Sequence, residues 1–289
     1  MIAAVPGHLG ALLELGKLRL SALAIVAVLA GIGMGRGVAL SALDVLGVGI
    51  GTLLVAVAGN AFNMLIERDR DVRMKRTAGR PLPTRRLTPR AVAVFGGVTA
   101  VVGLALLALC SNPLATGLCA AILACYVLVY TPLKPLTTLN TLVGAVPGAL
   151  PPVVGYAAAT NRLDVQALAL FTILFFWQIP HFLAIAWRYR EDYRAGGMKM
   201  LAVVDHSGRA TAVQMVVYAT GLLVVSLWPW QLEMTGELYP WLAATLGVSF
   251  LLPVFVAAIR RTEESMRVAF LASIVYLPML YLAMYVDRT

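Results

Sequence analysis

The residues best suited to chemistry lie in one polar segment, residues 59–86, which follows a long apolar stretch. At about 100° per residue on a helix, four oxygen-bearing side chains fall in a narrow stripe: Asn60, Asn63, Glu67 and Asp71. Neighbours in this stripe are three or four residues apart, so they lie side by side on the helix surface. Mg²⁺ prefers such oxygen ligands, using one or two carboxylates together with substrate phosphates. The spacing therefore predicts a Mg²⁺ site.

Basic residues follow the stripe directly: Arg73, Lys75, Arg76 and Arg80. Arginine and lysine at such a position could hold phosphate oxygens, which arginine binds in a bidentate manner. The alternative is a solvated helix end whose acids pair with neighbouring arginines. Asn60 and Asn63 lie further into the apolar stretch, where polar groups are costly and usually functional, and this favours a site. Asp69 points away from the stripe, and we expect it to pair at the surface.

A second polar segment covers residues 175–201. His181 follows a proline inside an apolar stretch and, on a continuous helix, shares a face with Arg188 and Asp192. A lone intramembrane histidine is often a packing residue, but its position in line with charged residues favours a functional role. Gly196-Gly197 predicts a loop, which would let Lys199 fold back over a bound anion.

The composition predicts that membrane helices position these segments. Hydrophobic residues make up 60% of the 289 residues and charged residues 13%, against about 25% charged in a typical soluble domain. Mean hydropathy is +0.84. A spanning helix needs about 20 mostly apolar residues, and Ser111-Asn112-Pro113 divides the one uncharged run that is too long for a single span. The predicted fold is a single-domain, all-α polytopic membrane bundle of nine helices, at 18–35, 44–67, 91–110, 113–131, 138–160, 165–190, 209–231, 239–260 and 267–287.

The distribution of charge predicts the orientation of this bundle. With the N-terminus inside, only Arg36, Arg162 and Arg288 of the 23 basic residues lie outside, as the positive-inside rule requires. Both polar segments then face the cytoplasm or the mitochondrial matrix. The net charge of +9 is thereby explained by topology, and we expect no nucleic-acid partner. The three cysteines match no metal or disulfide framework.

The polar segments together resemble the membrane-bound prenyltransferases related to 4-hydroxybenzoate polyprenyltransferase. Asn63-x-x-x-Glu67-x-x-x-Asp71 is similar to the first acidic motif of that family, N-x-x-x-D-x-x-x-D. Residues 74–82 (MKRTAGRPL), YTPLK with GALPPVVGY, and WQIPHF with DYRAGGMKML are similar to its protohaem IX farnesyltransferase branch. The resemblance extends from the second predicted span through the loop after the sixth.

The chain departs from the family pattern at two places. Glu67 replaces the first aspartate, which keeps the charge and lengthens the side chain. The second motif of the quinone-type members is rich in aspartate, whereas this chain reads Tyr189-Arg-Glu-Asp-Tyr193. Asp192 is then the best candidate ligand in the second motif, and the loss of aspartates counts against a quinone-pathway acceptor.

The resemblance implies Mg²⁺-dependent transfer of farnesyl from farnesyl diphosphate to a vinyl group of haem b, which gives haem O and releases diphosphate. It also implies roles for individual residues. The expected catalytic residues are Asn63, Glu67, Asp71 and Asp192, with Asn60 as a further metal ligand. The expected diphosphate-binding residues are Arg76, Arg80, Lys134 and Lys199, the second motif includes Tyr189 and Tyr193, and His181 and Arg188 are candidates for haem binding.

The expected setting is the bacterial inner membrane or the mitochondrial inner membrane, with a downstream haem-modifying or oxidase-assembly protein as a further partner. Three alternatives stay open. One is a prenyltransferase acting on an aromatic quinone precursor or a chlorophyll-type alcohol. Another is a secondary transporter, since intramembrane acids and broken helices also mark transport paths. The third is a haem-binding structural subunit, which would not need Asn63, Glu67 and Asp71 grouped together.

Overall fold

The computed structural model describes residues 7–37 and 40–289. Within these ranges the chain is helical and contains no β-strand. The first half contains α1 (His8–Gly16), α2 (Leu18–Met34), α3 (Ala42–Asp71), α4 (Pro89–Cys110), α5 (Pro113–Ala124), a π-helical segment (Cys125–Tyr130), α6 (Thr131–Leu133), α7 (Asn140–Ala149) and α8 (Pro151–Thr160). The second half contains α9 (Val165–Arg188), α10 (Arg190–Ala195), α11 (Leu201–Val204), α12 (Arg209–Val225), α13 (Trp228–Gln231), α14 (Tyr239–Arg260) and α15 (Glu263–Val286).

Eight helical stretches in the described ranges are long and apolar enough to cross a membrane. They are Ala42–Asp71, Pro89–Cys110, Pro113–Leu133, Asn140–Thr160, Val165–Arg188, Arg209–Gln231, Tyr239–Arg260 and Glu263–Val286. The first of the nine predicted spans coincides with α2, whose apolar part, Leu23–Met34, is shorter. The predicted all-α membrane fold is thus confirmed, with eight full-length spans and one shorter apolar helix.

Local sequence explains where the long helices begin. Ser41 and Asp44 form a capping box at the start of α3, and Thr262 and Ser265 form one at the start of α15. The Asp164 carboxylate caps α9 by accepting from a backbone N–H. These side chains satisfy backbone donors that the first helical turn leaves unpaired.

Two spans are irregular. The span Pro113–Leu133 contains the π-helical turn, where the Thr131 hydroxyl donates to the Tyr126 carbonyl at 2.9 Å. The span Asn140–Thr160 breaks at Leu150 between α7 and α8, because the prolines that follow supply no backbone N–H for the ladder. Such breaks are tolerated in a membrane where the backbone is packed against protein.

The span Val165–Arg188 ends earlier than a continuous helix would. Tyr189 leaves helical geometry (φ −108°, ψ 22°) and separates α9 from α10. The predicted stripe of His181, Arg188 and Asp192 is therefore interrupted, and Asp192 lies on a separate short helix.

Candidate active site

A cavity of about 240 Å³ lies where α3, the π-helical segment and α9 approach each other at the polar end of the bundle. The polar side chains of its lining are Lys17, Asn63, Glu67, Arg76, Arg80, Tyr126, Tyr130, Lys134, Thr141, His181 and Tyr193. Its remaining lining is Met74, Gly144, Phe182, Ile185, Met198 and Met200. Residues from both predicted polar segments thus meet in one cavity.

Each carboxylate of the first stripe pairs with a cation in this structure. Lys134 Nζ donates to Glu67 Oε1 at 2.7 Å, and both side chains are largely buried. Arg80 Nη1 lies 2.8 and 2.7 Å from the two oxygens of Asp71, whose side chain is fully buried. Buried carboxylates require such partners, because transferring an unpaired charge from water costs several kcal/mol. Asp69, by contrast, is 83% exposed and pairs with Arg68 at 3.5 Å.

The two asparagines of the stripe have different neighbours. The Asn63 side-chain amide lines the cavity and donates to the Thr131 hydroxyl at 3.2 Å. The Asn60 amide donates to the Gly16 carbonyl at 3.3 Å and the Ser21 hydroxyl at 3.2 Å. Asn60 is not among the cavity-lining residues, and it links α3 to the turn between α1 and α2.

Asp192 holds the basic segment after α3. Its carboxylate accepts from the backbone N–H groups of Lys75 at 3.0 Å and Arg76 at 3.2 Å. The Arg76 guanidinium carbon lies 5.1 Å from the ring centroid of Tyr189 and 5.6 Å from that of Tyr193. The tyrosines and Asp192 of the second motif therefore position Arg76 at the cavity.

The loop after α10 closes over the same region. The Lys199 backbone N–H donates to the Lys134 carbonyl at 2.8 Å, while its side chain is exposed and lies outside the cavity lining. Gly196 packs on Met74, since a Cβ atom there would lie 2.9 Å from the thioether sulfur. Arg188 also lies outside the lining, with its guanidinium carbon 5.7 Å from the Tyr189 ring centroid.

His181 lies in an aromatic wall of the cavity. Its ring stacks on Trp177, with centroids 4.7 Å apart and an interplanar angle of 24°. Its Nδ1 is 2.7 Å from the hydroxyl oxygen of Ser273 on α15. The sequence placed this histidine near charged residues but gave no indication of its partner.

Sequence reasoning missed several lining residues, of which Lys17 is the most informative. Lys17 occupies the turn between α1 and α2 in a left-handed conformation (φ 43°). Burial, together with the positive charges of Arg80 and Lys134, lowers the pKa of Lys17 to about 7. An isolated lysine before an apolar stretch looks like an ordinary membrane-boundary residue, so its spacing carried no signal.

Tyr130, part of the YTPLK segment, is a second lining residue without a predicted role. Its ring centroid lies 4.6 Å from Lys134 Nζ, and a Cβ atom on Gly144 would lie 2.4 Å from the nearest ring atom. Glycine at 144 is therefore required by this close approach.

The cavity is electrostatically suited to an anion with an apolar tail. Four cations, Lys17, Arg76, Arg80 and Lys134, line it together with one carboxylate, while Asp71 is buried behind Arg80. Aromatic and aliphatic side chains form the rest of the wall. In the described part of the chain, no three His, Cys, Asp or Glu side chains converge as a ready-made metal site. The oxygen donors present fit a Mg²⁺ ion that shares its coordination with substrate phosphates.

Residues 24–277 match the UbiA prenyltransferase family. The chain belongs to this family. A relative in Solibacter usitatus, named protoheme IX farnesyltransferase, is 46% identical over 83% of this chain and 82% of its own length. A second with the same name, from an Anaeromyxobacter species, is 43% identical over 95% of this chain and 92% of its own length.

Solved structures share the UbiA fold. A digeranylgeranylglyceryl phosphate synthase structure superposes with a TM-score of 0.79 at 17% identity, over 96% of this chain and 98% of that one. A UbiA homolog from Archaeoglobus fulgidus bound to GPP and Mg²⁺ gives a TM-score of 0.64 at 13% identity, over 94% of this chain and 99% of that one. With eight apolar spans in the part of the chain that the structure describes, this UbiA-family chain is an integral, multi-pass membrane protein.

Proposed function

We propose that this UbiA-family protein transfers the farnesyl group of farnesyl diphosphate to a vinyl group of haem b, giving haem O and diphosphate. The observation that carries the proposal is the 43% identity over 95% of the chain to a relative named protoheme IX farnesyltransferase. The cavity supports it, because cations and aromatic side chains line one space, as a diphosphate with an isoprenoid tail requires.

The cations that line the cavity can stabilise the diphosphate leaving group. Cleavage of the allylic C–O bond leaves additional negative charge on the diphosphate, and preorganised donors that face this charge lower the barrier. Arg76, Arg80 and Lys134 line the cavity, and Lys199 lies at the loop that closes it. We assign diphosphate binding to these four residues and to Lys17.

The acidic residues provide for a divalent cation. Asn63, Glu67 and Asp71 are the residues that would hold Mg²⁺, and the ion would stabilise charge on the diphosphate as a Lewis acid. Asp192 of the second motif, whose two oxygens accept from the backbone N–H groups of Lys75 and Arg76, is assigned instead to positioning Arg76. Glu67 and Asp71 pair with Lys134 and Arg80 in this structure. Metal binding would therefore require these two cations to exchange their carboxylate partners for phosphate oxygens. The UbiA homolog bound to GPP and Mg²⁺ supports this use of the fold.

The aromatic side chains of the cavity can stabilise the allylic carbocation and contact the acceptor. The ring faces of Tyr126 and Tyr130 can stabilise positive charge on the allylic fragment. The terminal vinyl carbon then forms a C–C bond to it, and water adds to the adjacent cationic carbon with loss of one proton. His181 is the proposed haem contact within the membrane, and Arg188 at the end of α9 is proposed to bind a haem propionate.

The proposed location is the bacterial inner membrane, or the mitochondrial inner membrane, with the N-terminus and the cavity on the cytoplasmic or matrix side. The positive-inside rule supports this orientation, because the basic segment after α3 lies at the cavity end of the bundle. The product needs a consumer that binds haem O, and we propose a downstream haem-modifying or oxidase-assembly protein as that partner.

Mass spectrometry of the porphyrin product tests the proposal. Purified protein in lipid nanodiscs would be incubated with haem b, farnesyl diphosphate and Mg²⁺, with EDTA and heat-inactivated protein as controls. We expect a hydroxyethylfarnesyl porphyrin that disappears with EDTA. Unchanged haem from folded protein would overturn the acceptor assignment, and prenylation of an aromatic quinone precursor in the same assay would replace it.

A further inference from the structure

Ser273 connects His181, which lines the cavity, with Trp177, which stacks on the His181 ring. It lies on α15, is fully buried, and its backbone carbonyl accepts the Trp177 indole N–H at 2.8 Å. Its hydroxyl oxygen is 2.7 Å from His181 Nδ1 and 2.6 Å from the Phe270 carbonyl oxygen. One serine thus contacts the histidine and fixes the ring that stacks on it.

These two short contacts determine the protonation of the histidine ring. A carbonyl oxygen can only accept, so its 2.6 Å contact with the Ser273 hydroxyl oxygen requires the hydroxyl proton. A hydroxyl has only one proton, so Ser273 must accept in its contact with His181. His181 therefore carries its proton on Nδ1. In the neutral ring, Nε2 is then left with a free lone pair.

The geometry leaves Nε2 as the reactive atom of this ring. His181 lines the cavity, and within the described residues no hydrogen bond to Nε2 is present. Trp177 stacks on the ring, and the Phe270 centroid lies 5.0 Å away, so the plane of the imidazole is held by its neighbours. An imidazole whose other nitrogen donates a hydrogen bond is the usual arrangement of a metal-binding histidine.

We infer that Ser273 is a positioning residue that holds His181 as the Nδ1–H tautomer, so that Nε2 binds the iron of the haem acceptor. The identity of the acceptor rests on the proposed function. Iron coordination would fix the porphyrin relative to the allylic carbon, and such orientation is a large part of catalysis when two substrates must meet.

Spectroscopy of bound ferric haem tests this inference. Electron paramagnetic resonance and resonance Raman spectra would be recorded for the protein in nanodiscs with ferric haem and without farnesyl diphosphate. We expect a histidine–iron signature in the native protein. In His181→Gly we expect that signature to be lost and then restored by added imidazole. In Ser273→Ala we expect haem affinity to fall about 10–100-fold, as for other residues that orient metal ligands. Ser273→Thr, which keeps the hydroxyl, should restore the affinity and the spectrum.

Thr172→Ala is the matched control, because among the described residues the Thr172 hydroxyl bonds only to the Ala169 carbonyl of its own helix, α9. It should leave affinity and spectra unchanged. An unaltered iron spectrum in haem-bound His181→Gly would overturn the inference, as would equal spectra for Ser273→Ala and Ser273→Thr. If the native protein forms haem O but the iron spectrum of His181→Gly is unaltered, only the inference about His181 and Ser273 is rejected. A histidine-dependent spectrum without haem O formation would reject only the proposed reaction.

Discussion

The two acidic helix ends, residues 63–71 on α3 and residues 188–195 around α10, differ in how their carboxylates are used. Glu67 and Asp71 are buried, and each pairs with a cation that lines the cavity. Asp192 is only partly buried and lies outside the lining, and its oxygens accept from two backbone N–H groups of the segment after α3. The first end faces the reaction space, whereas the second holds a neighbouring loop.

This difference follows from helix continuity. α3 runs unbroken through its stripe to Asp71, so its polar side chains stay on one face at the cavity. α9 ends at Arg188, and the break at Tyr189 turns α10 out of line with His181. Carboxylates at the end of α3 therefore lie at the reaction space, whereas the Asp192 carboxylate on α10 positions a loop.

The largest effect is expected at the first end. Glu67→Gln and Asp71→Asn keep side-chain shape but remove charge, and we expect haem O formation to fall about a thousandfold, since metal-assisted charge stabilisation supplies several kcal/mol. The rate would be measured by mass spectrometry in nanodiscs, with thermal unfolding recorded for each variant. Asp69→Asn, altered at an exposed position on the same helix, should keep nearly full activity. A comparable loss in Asp69→Asn would invalidate the assignment of the catalytic face.

A smaller effect is expected at the second end. Asp192→Asn weakens two hydrogen bonds to the loop backbone, which are worth about 1.5–3 kcal/mol each when one partner is charged. We expect kcat/KM for farnesyl diphosphate to fall about 10–100-fold, mostly through KM, because Arg76 is displaced. Glu191→Gln is the control, since that neighbouring side chain is 72% exposed. If Asp192→Asn lost as much activity as Asp71→Asn, and the loss were in kcat alone, Asp192 would belong among the metal ligands.

The role of Lys17 in diphosphate binding can be tested through the pH dependence of KM. Its pKa of about 7 makes it charged below that pH and neutral above it, and a bound diphosphate favours the charged form. We expect KM for farnesyl diphosphate to increase by up to about tenfold from pH 6 to pH 8, which corresponds to 1.4 kcal/mol. Lys17→Arg stays charged throughout and should lose this part of the pH dependence. Since the diphosphate titrates identically in both, parallel KM curves would contradict the assignment.

The smallest effect is expected at Asn60. Asn60→Ala removes hydrogen bonds to Gly16 and Ser21, and we expect unfolding free energy to fall by about 1 kcal/mol. The Mg²⁺ concentration for half-maximal activity should stay the same, in contrast to Asn63→Ala, where it should rise. An equal rise in both variants would return Asn60 to the metal ligands.

Much of the architecture was predictable, because it depends on composition over long windows. The apolar runs predicted the membrane fold, and the eight full-length spans follow them. The helical stripe correctly separated Asp69 from the cavity side of α3, since that depends only on 100° per residue. The break at Tyr189 was not predictable, as no glycine or proline marks it.

The sequence by itself determined that the chain crosses a membrane and that Asn63, Glu67 and Asp71 share a helix face, because hydrophobicity and helix periodicity are local properties. Only the tertiary structure decided which groups meet those residues. Lys134 reaches Glu67 across 67 positions, and Ser273 reaches His181 across 92. Helix packing sets these pairings, and a side chain such as Ser273, within an otherwise apolar span, has no local pattern that would reveal its partner.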